Sequence, residues 1–189
     1  METLTINASK AALTEAQFYD ICRQNEELRF EMTAQGDLIV MPPVGGLSGS
    51  RESDLNADVQ IWNRRTGLGQ VFSSSTVFRL PNGAKRSPDV AWVELSRWDT
   101  LSREAQERFP PLAPDFVIEL RSRTDDLAVL QMKMQEYIEN SVKLGWLINP
   151  QDQQVEIYQP GKDIEVRSLP TQLLGEEILP SFTLDLQQF

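Results

Sequence analysis

Arg86-Ser-Pro-Asp-Val-Ala-Trp-Val93 and Ala113-Pro-Asp-Phe-Val-Ile-Glu-Leu-Arg121 decide how this chain is read. Each is a Pro-Asp turn feeding a short apolar run, the pattern of a buried strand. Asp89 stands at the mouth of the first run and Glu119 lies inside the second. A carboxylate within an apolar strand is costly to bury unless it is paired or holds a metal. Glu119 therefore needs a partner.

The flanking sequence sets these two runs in a mixed α/β framework. Thr14-Glu-Ala-Gln17 has capping-box spacing and opens a short helix carrying Phe18, Ile21 and Cys22. Leu28 to Met32 and Leu38 to Met41 predict an N-terminal β-hairpin around Ala34-Gln-Gly-Asp37, followed by a loop from Pro42 to Gly49. A helix is expected from about Ser50 to Arg65, because Glu52, Leu55, Val59 and Trp62 share one face. Gln70 to Leu80 predicts a strand bent at its three serines, and Pro81 to Lys85 a turn. The charged stretch from Leu95 to Pro114 reads as a surface excursion with a helical turn or two around Arg103 to Arg108.

Beyond the second run, Thr124-Asp-Asp126 caps a helix reaching about Asn140, with Leu127, Leu130, Met134, Tyr137 and Ile138 as its core stripe. Leu144 to Asn149, Gln154 to Tyr158 and Asp163 to Arg167 predict a meander, and the tail reads as an extended lid over the core. Helices and strands mix without strict alternation, so the expectation is one domain over residues 1–189 with a mixed central sheet flanked by helices.

Composition narrows the chemistry. The chain has no histidine and a single cysteine, which removes His-based triads, imidazole zinc sites and an internal disulfide. Acid–base or metal chemistry must then rest on Asp, Glu, Lys or Tyr, and oxygen ligands favour hard cations. A formal charge of −10 argues against coating nucleic acid by bulk electrostatics, though not against a locally basic cleft. No stretch approaches the roughly 20 apolar residues of a membrane span. The mixed, acidic N-terminus is unlike a signal peptide, so a cytoplasmic location is the expectation.

Each candidate admits two readings. Asp89 is either a strand-entry residue or a metal ligand. Glu119 is either the ion-pair partner of Arg121 or Arg123, or a second ligand to the same cation. Glu52 is a first-turn acid favoured by the helix dipole, or a third carboxylate. Lys133 is an exposed helix lysine paired with Glu136, or a positive group bordering the site. Arg121, two residues after Glu119, projects to the same face of the strand. Asp115 reads as structural.

Pro88-Asp89 followed by Glu119-Leu-Arg121 resembles the PD-(D/E)XK nuclease signature. The wider pattern resembles the Uma2 family of restriction-endonuclease-like proteins within that superfamily. The matching stretches are Met41-Pro-Pro, Ser87 to Val93, Pro114 to Ser122, Asp125-Asp126, Lys133 to Tyr137, Leu144 to Pro150 and Val155 to Tyr158. The resemblance implies a restriction-endonuclease-like core. It implies magnesium, with manganese as the alternative, held by Asp89, Glu119, the Leu120 carbonyl and Glu52. It further implies a metal-activated water that hydrolyses DNA; because cutting both strands of a duplex needs two sites, a homodimer is also expected. The chain departs from the superfamily by carrying Arg121 where the motif has lysine, and arginine cannot share a lysine's acid–base role. Lys133 matches a lysine on the next helix, and we expect it to take that role with Arg121 assisting. The alternatives are a catalytically silent module of the same fold, or a nuclease acting on RNA or branched DNA.

Overall fold

In the computed structural model, which describes residues 3–187, the two Pro-Asp runs are adjacent antiparallel strands. The chain begins with β1 (Leu4–Ile6), α1 (Glu15–Gln24), β2 (Arg29–Met32), β3 (Leu38–Met41) and the long helix α2 (Gly46–Thr66). Next come β4 (Gly69–Ser73), β5 (Phe78–Arg79), β6 (Lys85–Arg86) and β7 (Val90–Glu94), the first Pro-Asp run. The short helices α3 (Leu95–Trp98) and α4 (Arg103–Glu107) lead to β8 (Phe116–Leu120), the second. The helix α5 (Leu127–Glu139) then precedes β9 (Leu144–Asn149), β10 (Gln154–Tyr158), β11 (Glu165–Ser168), β12 (Gln172–Leu174) and β13 (Thr183–Asp185).

The main sheet has six strands in the order β11-β10-β9-β8-β7-β4. All its pairings are antiparallel except β8 with β9, which α5 connects as a βαβ crossover. The pleat sends alternate residues of each strand to opposite faces. Phe116, Ile118 and Leu120 of β8 therefore pack with Leu55, Val59 and Trp62 of α2, whereas Val117 packs with Met134 and Tyr137 of α5. Glu119 shares the phase of Val117 and so points toward α5.

A second sheet, ordered β1-β3-β2-β6-β5, carries its own core of Phe30, Met32 and Leu38 against Phe18 of α1. Thr14 and Gln17 form the expected capping box at the start of α1, each side chain meeting the other's backbone N–H. The two sheets join at Ser87, between β6 and β7, whose hydroxyl donates to the carbonyls of Ser74 and Thr76.

The local expectations fail where residue type and burial disagree. α2 begins four residues early, inside the glycine-rich loop, because Gly45 takes an extended conformation and caps a helix that then runs through Gly46 and Gly49. The expected bent strand from Gln70 to Leu80 is two strands in different sheets, with the serines forming the crossing. Lys85, expected to end a turn, instead forms a short strand with Arg86, and β1 adds a strand where none was expected. The tail is more than a lid. Leu173, Leu179, Phe182, Leu184 and Leu186 are buried in the α2-side core, and Pro180 accepts a hydrogen bond from the Trp62 indole.

Candidate active site

The register of β7 and β8 pairs Val90 with Ile118, Ala91 with Val117 and Trp92 with Phe116. One further step along the same ladder sets Asp89 opposite Glu119. Directly opposed residues share a face with their Cβ atoms about 5 Å apart, so both carboxylates look toward α5. Asp89 accepts a hydrogen bond from the Leu120 N–H at 2.8 Å, which fixes one of its oxygens. Asp89 is half-buried and Glu119 is buried.

Lys133 projects from α5 onto the same spot. Its ammonium lies 2.8 Å from Glu119 Oε1 and 2.8 Å from Glu31 Oε1. Tyr137, one helical turn further on, donates its hydroxyl proton to Glu119 Oε1 at 2.9 Å. Glu31 also accepts from the Ser87 N–H at 2.8 Å and pairs with Arg86 at 3.0 Å. Arg86 in turn meets Glu136 at 2.5 Å. The result is a chain of alternating charge, Glu119, Lys133, Glu31, Arg86 and Glu136, in which each buried charge has a partner that offsets its desolvation.

The titration behaviour follows from this geometry. Burial, reinforced by the charge of Glu119, pushes the Asp89 carboxyl up to about 8 against the opposing Leu120 hydrogen bond. Burial likewise raises Glu119, although the Lys133 ammonium pulls the other way. For Glu31 the burial penalty is outweighed by Lys133 and Arg86, and its carboxyl is lowered. Burial would lower Lys133, but Glu119 and Glu31 hold its ammonium well above the ordinary lysine range. Lys133 is therefore a fixed positive charge here rather than a proton acceptor. Tyr137 is raised by burial and by the same two carboxylates, and stays a donor.

Of the residues expected from sequence, the structure brings Asp89, Glu119 and Lys133 together. Glu52, on α2, accepts a hydrogen bond from the Ser74 hydroxyl. Its charge reaches Asp89 only as the smallest of the contributions to that group. Arg121 turns the other way. Leu120 pairs with Ile148 in the parallel β8–β9 ladder. Arg121 therefore emerges beside Asn149 and leans across the sheet, bonding Asp152 at 2.8 Å and Asn149 at 3.3 Å. Glu136 pairs with Arg86, not with Lys133. Asp115 accepts from the Glu94 N–H and pairs with Arg97 and Lys143, a strand-entry brace.

Two participants escaped the sequence. Glu31 is only the polar phase of an alternating hairpin strand, and nothing local links it to a lysine a hundred residues on. Tyr137 carries the spacing of a core stripe, and its ring is indeed buried while its hydroxyl serves Glu119.

A hard divalent cation fits the donor set to the extent of two carboxylates. Among the described residues nothing hydrogen-bonds to one oxygen each of Asp89 and Glu119, and both acids are held above the ordinary range by burial that a cation would offset. Among the described residues no group of three His, Cys, Asp or Glu side chains has metal-holding geometry, so Glu52 and Glu31 stand outside the pair.

A mixed sheet sandwiched by two helices, with an acid pair and a lysine at one strand end, defines a nuclease-type fold. The chain belongs to the Uma2 family, described as "putative restriction endonuclease", whose model matches residues 15–187. A solved structure described as a putative nuclease belonging to DUF820, from Anabaena variabilis, is similar in fold. It has a TM-score of 0.71 and 19% identity over 84% of this chain and 87% of that one. No curated protein matched the sequence. The family's description points to a nuclease, a hydrolase of nucleic acid, and the solved structure supports the fold. No helix among the described residues is long and apolar enough to cross a membrane.

Proposed function

We propose that the chain is a magnesium-dependent endonuclease that hydrolyses DNA phosphodiester bonds at Asp89, Glu119 and Lys133, with manganese as an alternative cation. The observation that carries this reading is the 2.8 Å contact of the Lys133 ammonium with Glu119, directly beside Asp89. It supplies from a helix the lysine that the strand lacks at Arg121. The free oxygens of Asp89 and Glu119 would hold the cation, and the Leu120 carbonyl lies at the same strand end. A bound cation supplies water activation and charge neutralisation at the phosphate.

The protein groups do the rest by position. Tyr137 and Lys133 orient Glu119 through one oxygen and leave the other free. Lys133 keeps its charge against a developing negative phosphate, which is the role a permanently protonated group can fill. Arg121 is taken up by Asp152 and Asn149, which favours a bracing role for it.

Plasmid DNA cleavage in magnesium tests the reading. Asp89→Ala and Glu119→Ala should abolish it while circular dichroism shows the fold retained, and calorimetry should show divalent binding in the parent alone. Cleavage that persists in both variants would refute the assignment. The closed ion-pair chain around Lys133 favours one other reading, a silent module of the same fold, for which calorimetry would show no divalent binding at neutral pH. A homodimer and a cytoplasmic location remain part of the proposal, tested by sedimentation and by fractionation.

A further inference from the structure

We infer that the groove between α2 and the β2–β3 hairpin receives a single nucleic-acid strand and leads it to the carboxylate pair. The inference rests on the nuclease reading and adds the form of the substrate. The groove has a volume of about 890 Å³. Glu52 and Ser74 line it and are hydrogen-bonded to each other, and Ser74 also receives the Ser87 hydroxyl on its carbonyl. Glu52 lines the groove and its charge acts on the Asp89 carboxyl, so the Glu52 end of the groove lies beside the proposed site.

Its walls are of two kinds. Ser53, Gln60 and Arg64 succeed one another along α2 and line the groove, and Arg29 lines it from β2. Among the described residues none of these four side chains makes a hydrogen bond or ion pair within the protein, whereas Arg86, Arg97 and Arg121 are all committed to carboxylates. Two free guanidiniums and two free polar side chains beside a phosphodiester-cleaving site suit a sugar–phosphate backbone. Glu27 at the rim is the one uncommitted acid of the lining.

The other wall is apolar. Met41 ends β3, Pro43 and Val44 follow it, and Ile61 lines the groove from α2; Val44 is 43% and Ile61 48% exposed. A paired duplex hides its base faces, while an unpaired strand can bury part of them against aliphatic side chains. The −10 net charge also disfavours broad contact with a duplex, which depends on many basic residues. From Glu52 to Arg64 the helix rises about 18 Å, the length of about five stacked nucleotides.

Fluorescence anisotropy in EDTA, with a labelled mixed-sequence 12-nucleotide DNA strand and the matching blunt duplex (~12 base pairs), tests the inference. The parent protein should bind the strand at least about tenfold more tightly than the duplex. Arg64→Gln and Ile61→Asp, both on exposed positions, should each weaken strand binding by roughly tenfold. Arg64→Gln should also lower the salt slope by about 0.7. Equal affinity for strand and duplex, or unchanged strand affinity in both variants, overturns the inference. The two readings fail separately. Arg64-dependent strand binding without magnesium-dependent cleavage sinks the nuclease reading alone, and cleavage with Arg64-independent binding sinks the groove alone.

Discussion

Asp89→Asn should stabilise the metal-free protein at alkaline pH even though it removes a residue of the proposed active site. Burial first, and the Glu119 charge second, raise the Asp89 carboxyl from 3.8 to about 8. Between those values the folded chain holds a proton that the unfolded chain has released. The linked stability is therefore complete below about pH 4, declines as pH rises, and is lost once pH passes about 8. At about 1.4 kcal/mol per unit, a shift of about four units sets a ceiling of about 5–6 kcal/mol. Asp89 keeps a solvent-facing edge, so water screens much of that, and we expect a gain of about 2 kcal/mol.

Asparagine matches aspartate in shape, carries no charge and still offers an oxygen to the Leu120 N–H. Urea denaturation in EDTA should show variant and parent alike near pH 4, with the variant ahead by about 2 kcal/mol near pH 9. Magnesium should reverse the order. At a hundred times its dissociation constant it would add about 2.7 kcal/mol to the parent and little to the variant. A variant less stable than the parent near pH 9 without metal would refute the crowding of the two acids.

Lys133→Met leaves Glu31 and Glu119 facing each other without their shared cation, and should cost about 3–5 kcal/mol by urea denaturation as well as abolish cleavage. A loss under about 1 kcal/mol would mean the ion-pair chain is not closed in solution. Arg121→Ala should loosen the turn after β9, lower the melting temperature by a few degrees and leave plasmid cleavage within about threefold; a hundredfold loss would return Arg121 to the site. Tyr137→Phe removes only the hydroxyl on Glu119 and should cost about 1–2 kcal/mol, with the cleavage rate falling more than magnesium affinity; unchanged stability and rate would show that Glu119 is oriented by Lys133 alone.

Much of the fold was readable because its elements announce themselves locally. The Thr14–Gln17 box starts α1, Asp126 caps α5 by accepting from the Ala128 N–H, and the apolar runs at Val90, Phe116 and Leu144 are all buried strands. The strand from Gln70 misled because β-branched and aromatic residues favour extended chain without saying which sheet it joins. In the structure Ser73 ends one sheet's edge and Phe78 begins another's. α2 misled in the opposite sense, since glycine lowers helix propensity yet Gly46 and Gly49 are helical in a segment anchored by Leu55, Val59 and Trp62.

The sequence alone determined the inventory of this protein's chemistry: no imidazole, a single thiol, an acid at a strand entrance and another inside a strand. Those are properties of residue type and of a two-residue period, and they survive any arrangement of the chain. Which cation meets Glu119 was a tertiary decision. Residues 119 and 121 are equivalent by strand phase, but the parallel ladder to β9 turns Arg121 toward Asn149 and Asp152. Lys133 is delivered by the crossover helix, and Glu31 by a different sheet joined at Ser87. A buried charge takes its partner from whatever the packing brings within hydrogen-bond reach, and sequence distance has no part in that choice.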